Sequence, residues 1–210
     1  MRLAAGKVEN MQALADERGV IAAAAMDQRG SLKKALAAAR PDGEVTNADM
    51  EEFKSLVSEV LTPHASAILL DPEYGLPAAK RRSSNAGLLL AYEESGYDNT
   101  QPGRLPDLLP HESAARIKAA GANAVKVLIY YSPFEKPEIN DIKHAFIERI
   151  GDECESESIP FFLEFVGYDP DGGDEKGAGY ARRKPEIVIG SMKEFTQDRY
   201  HVDVLKVEVP

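Results

Sequence analysis

The sequence has a single cysteine, Cys154, and it has no long apolar run. One cysteine cannot form a disulfide within the chain or a cysteine-rich metal site. The acidic, partly helical surroundings of Cys154 indicate an inert thiol rather than a nucleophile. No apolar stretch approaches the ~20 residues of a membrane-spanning helix. Residues 1–18 are charged and amphipathic and lack the apolar core of a signal peptide, so we expect a cytoplasmic protein.

An excess of positive charge is also missing. The 25 Lys and Arg residues are outnumbered by 35 Asp and Glu residues, and the net charge is −10. This balance argues against nucleic acid or an anionic membrane as a partner. It does not exclude a phosphorylated small molecule, because a few local cations can hold one. The 210 residues suffice for one sizeable domain, and we expect a single domain over 1–210 that begins with a helix at about 7–18.

Short apolar segments alternate with segments of helical periodicity along the chain. The six predicted strands cover residues 20–26, 66–70, 87–91, 123–129, 160–165 and 202–209. This alternation is typical of βα units and a parallel sheet. No G-x-G-x-x-G follows the first strand and no P-loop pattern is present, which weakens a dinucleotide-binding fold. An open doubly wound sheet and part of an eight-stranded barrel both fit.

Charged residues inside three of the predicted strands favour the barrel. They are Lys126, Glu164 and Lys206. In a barrel, inward-facing side chains converge on one axis, whereas in a flat sheet each would face a different helix. The predicted fold class is therefore α/β, of the TIM (β/α)8-barrel type, incomplete here with about six of the eight βα units.

The last predicted strand carries the first candidate for chemistry. Residues two apart in a strand share a face, so Lys206 and Glu208 lie together and Leu205 lies opposite. A lysine that points into a low-dielectric interior loses much of its preference for the charged form and becomes a nucleophile toward a carbonyl. The alternatives are a strand lysine that faces solvent and a charge that protects an edge strand. Glu208 could pair with a barrel lysine or have a purely structural role.

Three further charged residues fit the same chemistry: Asp27, Lys126 and Glu164. Lys126, Glu164 and Lys206 follow each other at intervals of about 40 residues, close to one βα unit, so they lie on successive strands. A Schiff base needs a proton donor and acceptor, for which Glu164 is suited if burial raises its pKa. Lys126 is a second cation that can bind an anionic oxygen. Asp27, after the first strand, can orient a hydroxyl or transfer a proton; singly, it could equally be a turn or capping carboxylate.

Beyond these residues, the sequence resembles the bacterial tagatose 1,6-bisphosphate aldolases, a class I aldolase family on a TIM barrel. The resemblance covers nearly the whole chain in order, and its most specific parts are DQRG, DPEYGLPA and LKVEVP. The matching segments are 19–36, 61–78, 87–98, 104–110, 115–131, 159–169 and 203–210.

The resemblance implies a role for each candidate residue. The Schiff-base lysine of the family falls on Lys206 and its acid/base glutamate on Glu164, while Lys126 and Asp27 take the places of the strand-four lysine and strand-one aspartate. Gln28 and Arg29 then correspond to substrate and phosphate contacts. Alternatively, Arg29 could pair with a loop carboxylate.

The family chain continues beyond this sequence by two more βα units. In barrels that bind phosphate, strands seven and eight often supply the phosphate site. We therefore expect a C-terminally truncated aldolase sequence, and whether the 210-residue piece is active by itself is an open question.

The resulting hypothesis is a cytoplasmic lyase without cofactor or metal. It would cleave the ketose bisphosphate D-tagatose 1,6-bisphosphate in the tagatose 6-phosphate pathway of lactose and galactose catabolism. The four histidines, at 64, 111, 144 and 201, show no i, i+4 pairing like that of a metal site. The alternatives are a sulfofructose-phosphate or other ketose-bisphosphate class I aldolase, and a barrel fragment that binds a sugar phosphate or a partner protein without catalysis. A homo-oligomer is an open alternative to a monomer.

Overall fold

A computed structural model describes residues 3–97 and 100–209. Asp98 and Pro210, which end two of the segments that carry the family resemblance, lie outside the described residues. The same holds for residues 1 and 2 at the start of the predicted domain and for Asn99.

Six parallel strands form one sheet in chain order. They are β1 (Ala23–Met26), β2 (Ala67–Leu70), β3 (Gly87–Ala91), β4 (Ala124–Tyr131), β5 (Phe161–Gly167) and β6 (Val204–Lys206). A doubly wound sheet would reverse its strand order at a switch point, and this order shows no reversal. The prediction of an incomplete α/β barrel is therefore confirmed.

Seven α-helices connect or precede these strands in the described part of the chain. They are α1 (Ala5–Leu14), α2 (Gly30–Ala38), α3 (Asn47–Leu61), α4 (Leu76–Arg81), α5 (Ala114–Ala119), α6 (Pro137–Ser156) and α7 (Ala178–Phe195). Short 3-10 turns cover Thr62–His64 and Asp198–Tyr200. None of the helices within residues 3–97 and 100–209 has the length and apolar character needed to cross a membrane.

Two predicted boundaries at the start and end of the chain are wrong. α1 ends at Leu14 rather than near residue 18, because the Asp16 carboxylate accepts hydrogen bonds from the amides of Arg18 and Val20 and closes a turn there. β6 has three residues rather than eight, because its ladder with β5 extends only from Val204 to Lys206.

Two helices also differ from the prediction. α7 begins at Ala178 rather than at Lys184, so that Pro185 lies inside it. A proline removes one amide donor from the helix, and the pattern alone therefore favoured a later start. α4 was missed because it is a single short stretch with Pro77 in its first turn, where proline is tolerated.

The side chains of the sheet divide into two apolar layers. One face packs against the surrounding helices, with Ile68, Leu90 and Val127 fully or almost fully buried. The other face points inward and includes Leu69, Leu89 and Phe162. Leu14 of α1 packs against this inner layer and is fully buried. α1 therefore covers the inner layer at the amino ends of the strands, which we call the lower end.

A buried lysine fixes the lower end. Lys7 of α1 contacts Asp203 at 2.9 Å and Glu155 at 2.7 Å through Nζ, and the side chains of Lys7 and Asp203 are 2% and 3% exposed. The same oxygen of Asp203 accepts a hydrogen bond from the Phe161 amide at 2.8 Å. These contacts join α1 and the last turn of α6 to the first residue of β5 and the approach to β6.

Candidate active site

The four predicted catalytic residues meet at the carboxyl ends of the strands, which we call the upper end. Asp27 follows β1 directly, Lys126 lies in β4, Glu164 in β5 and Lys206 ends β6. Glu164 is the register partner of Lys206, while Lys126 pairs with Phe162, two residues before Glu164. The two-residue repeat of strands therefore places all three charged side chains on the inner face.

Lys126 is the centre of this group. Its ammonium nitrogen contacts three carboxylate oxygens: Asp27 Oδ2 at 2.8 Å, Glu93 Oε1 at 2.8 Å and Glu164 Oε2 at 3.0 Å. Burial by itself would lower the pKa of Lys126, but the three carboxylates outweigh burial and raise it. Lys126 is consequently a permanent cation that organises the site, and it is not a free amine.

Lys206 and Glu164 form the second part of the group. Lys206 Nζ lies 2.8 Å from Glu164 Oε1, so the two oxygens of one carboxylate serve two different ammonium groups. The Lys206 side chain is 47% exposed. Within the described residues, β6 pairs on one side only, with β5, which leaves this lysine half-exposed. The exposure leaves its amine open to a molecule in solution.

The carboxylates around Lys126 have different proton affinities. Burial opposes ionisation of Asp27, but Lys126 and Lys206 outweigh it and lower the Asp27 pKa. Burial raises the pKa of Glu93, and the attraction of Lys126 does not offset it. Of these two carboxyl groups, Glu93 holds a proton more readily than Asp27.

Glu93 is the functional candidate that the sequence reasoning missed. It is only 5% exposed, and its oxygen Oε2 has no hydrogen-bond partner among the described residues. Glu93 lies two residues after the end of β3. The available signal was an acidic residue close behind a buried strand, similar to the signal that identified Asp27.

Gln28 and Arg29 stand beside the lysine group. Both line a cleft of about 230 Å³ together with Asp27, Lys126 and Lys206. Arg29 is 6% exposed, and its Nη2 donates to the Glu93 carbonyl oxygen at 2.7 Å. The alternative that Arg29 pairs with a loop carboxylate is therefore wrong, because its described partner is a backbone carbonyl. Arg29 Nε has no partner among the described groups, so it retains a donor at the edge of the cleft.

Glu208 does not belong to this group. Its carboxylate accepts a hydrogen bond from the Gly167 amide at 3.0 Å and lies 3.4 Å from Lys184 of α7. These contacts fit the structural alternative and not a pairing with a barrel lysine, because Lys184 is a helical residue.

The loops that follow β3 and β5 meet Tyr130 of β4 at the rim of the cleft. The Arg104 guanidinium lies over the rings of Tyr97, Tyr130 and Tyr168 at 4.6–5.4 Å from their centroids. It also pairs with Glu175 at 2.5 Å. Tyr130 itself lines the cleft, so this cluster fixes one of its walls.

A metal centre was not expected from the sequence. Over residues 3–97 and 100–209, no three His, Cys, Asp or Glu side chains are grouped in a way that could hold a metal ion. The three carboxylates of the site face the Lys126 ammonium instead.

These features define a class: a parallel βα-barrel protein with two lysines bridged by a carboxylate at the carboxyl ends of its strands. Residues 21–210 match the profile of the family described as "DeoC/LacD family aldolase". The chain belongs to this family.

Curated relatives make the comparison more specific. The chain is 57% identical over 210 residues to "Tagatose 1,6-diphosphate aldolase 2" of Enterococcus faecalis, covering 100% of the chain and 63% of that protein. It is 55% identical over 210 residues to "Tagatose 1,6-diphosphate aldolase" of Listeria monocytogenes, covering 100% of the chain and 62% of the relative. The chain thus spans less than two thirds of the length of these relatives. The family resemblance inferred from the motifs is confirmed.

Solved structures share the fold. An archaeal fructose 1,6-bisphosphate aldolase aligns with a TM-score of 0.62 at 16% identity, over 96% of this chain and 70% of that one. A structure titled as a Schiff-base-forming fructose-1,6-bisphosphate aldolase aligns with a TM-score of 0.61 at 17% identity, over the same shares. At this level of identity the likeness shows the barrel architecture.

Proposed function

We propose that the protein to which this chain belongs is a class I aldolase that cleaves D-tagatose 1,6-bisphosphate to dihydroxyacetone phosphate and glyceraldehyde 3-phosphate. The observation that carries the proposal is the 2.8 Å contact of an accessible lysine, Lys206, with a carboxylate, Glu164, that also faces the fixed cation Lys126. The printed names of the curated relatives support the choice of sugar.

The first half of the reaction forms a Schiff base. Glu164 takes a proton from the Lys206 ammonium, and the freed amine attacks the C2 ketone of the substrate. The resulting carbinolamine loses its hydroxyl as water, for which Glu164 returns the proton. The product is an iminium ion that joins C2 to Lys206 Nζ.

The second half breaks the carbon chain. A base removes the proton from the C4 hydroxyl, the C3–C4 bonding electrons move into the iminium, and glyceraldehyde 3-phosphate leaves. The enamine takes a proton at C3, and water hydrolyses the iminium to release dihydroxyacetone phosphate and restore Lys206. Asp27, which Lys126 holds as a carboxylate, is placed to orient a substrate hydroxyl. Gln28 and Arg29, at the edge of the cleft, are proposed to contact substrate and phosphate.

Other substrates use the same chemistry. A sulfofructose-phosphate aldolase would need the same lysine and differ in the contacts to the far end of the sugar. The names of the relatives favour tagatose 1,6-bisphosphate, and a comparison of turnover on the two sugars distinguishes them. A cytoplasmic setting and the oligomeric state stay predictions from the sequence.

Borohydride trapping tests the proposal. The chain is incubated with dihydroxyacetone phosphate, reduced, and examined by intact mass and peptide mapping. We expect one adduct, on Lys206, and none in Lys206→Met. If neither this chain nor one extended to the length of the relatives gives an adduct, the Schiff-base mechanism is wrong. An adduct only in the extended chain would assign the activity to the longer protein.

A further inference from the structure

A second buried ion pair lies directly behind the site, and the proposed mechanism does not use it. Lys54 of α3 contacts Asp71, the residue that follows β2, and both side chains are 0% exposed. Lys54 also donates to the carbonyl oxygens of Met26 at 2.7 Å and Gln28 at 2.8 Å. A lysine ammonium has three donors, so all of them are used by these partners.

The two carbonyl partners of Lys54 belong to the residues on either side of Asp27. Lys54 therefore fixes the backbone immediately before and after the carboxylate that contacts Lys126. The following residue, Arg29, donates to the Glu93 carbonyl oxygen. One side chain from α3 thus determines the path of the loop from which Asp27, Gln28 and Arg29 project into the cleft.

Asp71 is itself held in place. Its oxygen Oδ1 accepts a hydrogen bond from the Tyr74 amide at 2.8 Å, and the Gly75 amide donates to its carbonyl oxygen at 2.9 Å. A Cβ at Gly75 would fall on that carbonyl oxygen, so the turn depends on glycine. The anchor of Lys54 is consequently a tight turn at the end of β2.

Stability alone is a weak reason for such a pair. Replacing a buried ion pair by apolar side chains of similar volume is often neutral or stabilising, because the charges no longer have to be removed from water. Such a replacement would however leave the Met26 and Gln28 carbonyls without their donor. What the charged pair provides here is a defined position for the loop.

We propose that Lys54 and Asp71 are positioning residues that hold the Asp27 carboxylate against Lys126. The inference rests on the proposed function for its catalytic consequence, but the geometry of Asp27 can be measured without any activity. Asp27 faces Lys126 from β4, Lys206 from β6 and Lys54 from α3, while the Glu93 carboxylate shares Lys126 with it.

The test is the double variant Lys54→Met with Asp71→Leu, which removes both charges together. The pKa of Asp27 is followed by carboxyl-carbon NMR, with Asp27→Asn identifying the signal, and the rate of Lys206 trapping is measured as a function of dihydroxyacetone phosphate concentration. We expect the Asp27 pKa to rise by about one unit or more toward its ordinary value. The maximal trapping rate should fall by about 10- to 100-fold with a smaller change in half-saturation.

Asp71→Asn provides a second variant that separates position from charge. Loss of the Asp71 charge would by itself lower the Asp27 pKa in the acidic range, where Lys54 stays protonated. A loosened loop around Asp27 would instead raise the Asp27 pKa, because the carboxylate would move away from Lys126. A rise of the Asp27 pKa in Asp71→Asn therefore supports the proposal, and a fall overturns it. This test can be made even if the double variant does not fold.

Lys7→Met is the matched control, since it breaks a buried Lys–Asp pair at the lower end. We expect it to lose stability but to keep the wild-type Asp27 pKa and trapping rate. An unchanged Asp27 pKa in the double variant, or equal shifts in the double variant and Lys7→Met, would overturn the proposal. If neither this chain nor the chain extended to the length of the relatives shows an adduct, but the NMR shifts follow the expectation, the proposed function fails and the positioning role stands.

Discussion

The two ends of the sheet both contain a buried lysine between carboxylates, yet they differ in how completely their groups are satisfied. At the lower end, Lys7 and Asp203 are almost inaccessible, and the Asp203 oxygen is used twice, by Lys7 and by the Phe161 amide. At the upper end, Glu93 keeps an oxygen without a described partner, and Glu164 shares its charge with a half-exposed lysine. A network whose polar groups all have partners stabilises the fold. A network beside a cleft in which some polar groups can still accept or donate a hydrogen bond is suited to chemistry.

The two ends also differ in the balance of their charged groups. The upper group contains the ammonium groups of Lys126 and Lys206 and the carboxyl groups of Asp27, Glu93 and Glu164. The group has three carboxyl groups for two ammonium groups, and burial raises the pKa of Glu93 while the two lysines lower that of Asp27. The upper end thus places carboxyl groups of different proton affinity beside the cleft that Lys126 and Lys206 line.

The largest effect is expected from Lys126→Met, which removes the cation that three carboxylates share. Leaving buried charges unpaired costs about 3–5 kcal/mol, and trapping at Lys206 should be lost because Asp27 and Glu164 repel each other. Burial already raises the pKa of Glu93, and loss of Lys126 removes the attraction that opposes this rise. The folded state of the variant then binds more protons than its unfolded state, and its stability increases as the pH falls from 7 to 5.

Urea unfolding at several pH values and borohydride trapping measure these effects. The proposed difference between the ends would be contradicted by a Lys126→Met chain that is as stable as the wild type and still forms the adduct.

An intermediate effect is expected from Lys7→Met at the lower end, where the labelling rate of the Cys154 thiol reports local opening. This thiol is fully buried, and burial raises its pKa, with Lys7 close enough to act on it. Lys7→Met should destabilise the chain by about 3 kcal/mol, which increases the open population and the labelling rate of Cys154 on the order of 100-fold. Trapping at Lys206 should remain at the wild-type rate.

Labelling with a thiol reagent under native conditions measures this opening. Lys184→Met is the control, because Lys184 of α7 pairs with Glu208 at the upper end. If labelling stays at the wild-type rate while trapping falls, Lys7 contributes to the function of the upper end. The proposed difference between the two ends would then be contradicted.

The smallest effect concerns a fourth buried lysine of the described residues, Lys143 of α6. It donates to the Tyr130 carbonyl at 2.8 Å and to the Tyr168 hydroxyl at 3.0 Å, and burial lowers its pKa to about 8. The unfolded chain, in which this pKa is near 10.4, binds more protons above pH 8, so folding becomes more favourable as the pH rises toward 10. We expect a gain of roughly 1–2 kcal/mol between pH 7.5 and 9.5 relative to Lys143→Met.

Denaturant melts of the two chains at matched pH provide this difference. A stability difference between the two chains that stays constant over this range would show that Lys143 remains charged in the folded state.

The sequence predicted what depends on local pattern. Five of the six strands were located within a few residues, because runs of apolar residues bounded by turns are a local property. Asp27 and Glu164 were found because they interrupt or follow such runs, and parallel strands bring their carboxyl ends together.

The sequence could not predict what depends on contacts between distant residues. Lys54 lies in a helix among Glu51, Glu52 and other polar residues, where a solvent-facing lysine is the usual interpretation. Its burial follows only from the packing of α3 against the ends of β1 and β2.

The pairing order of the strands has a consequence for how the chain forms during synthesis. Within residues 3–97 and 100–209, the strands pair in the order β1-β2-β3-β4-β5-β6, so hydrogen-bonded neighbours in the sheet are also neighbours in the sequence. Proteins are made from the amino terminus, at about 5–20 residues per second, and structure can form on the emerging part. Asp27, Glu93, Lys126 and Glu164 therefore leave the ribosome before Lys206, so among these five residues the amine that is proposed to form the Schiff base is made last.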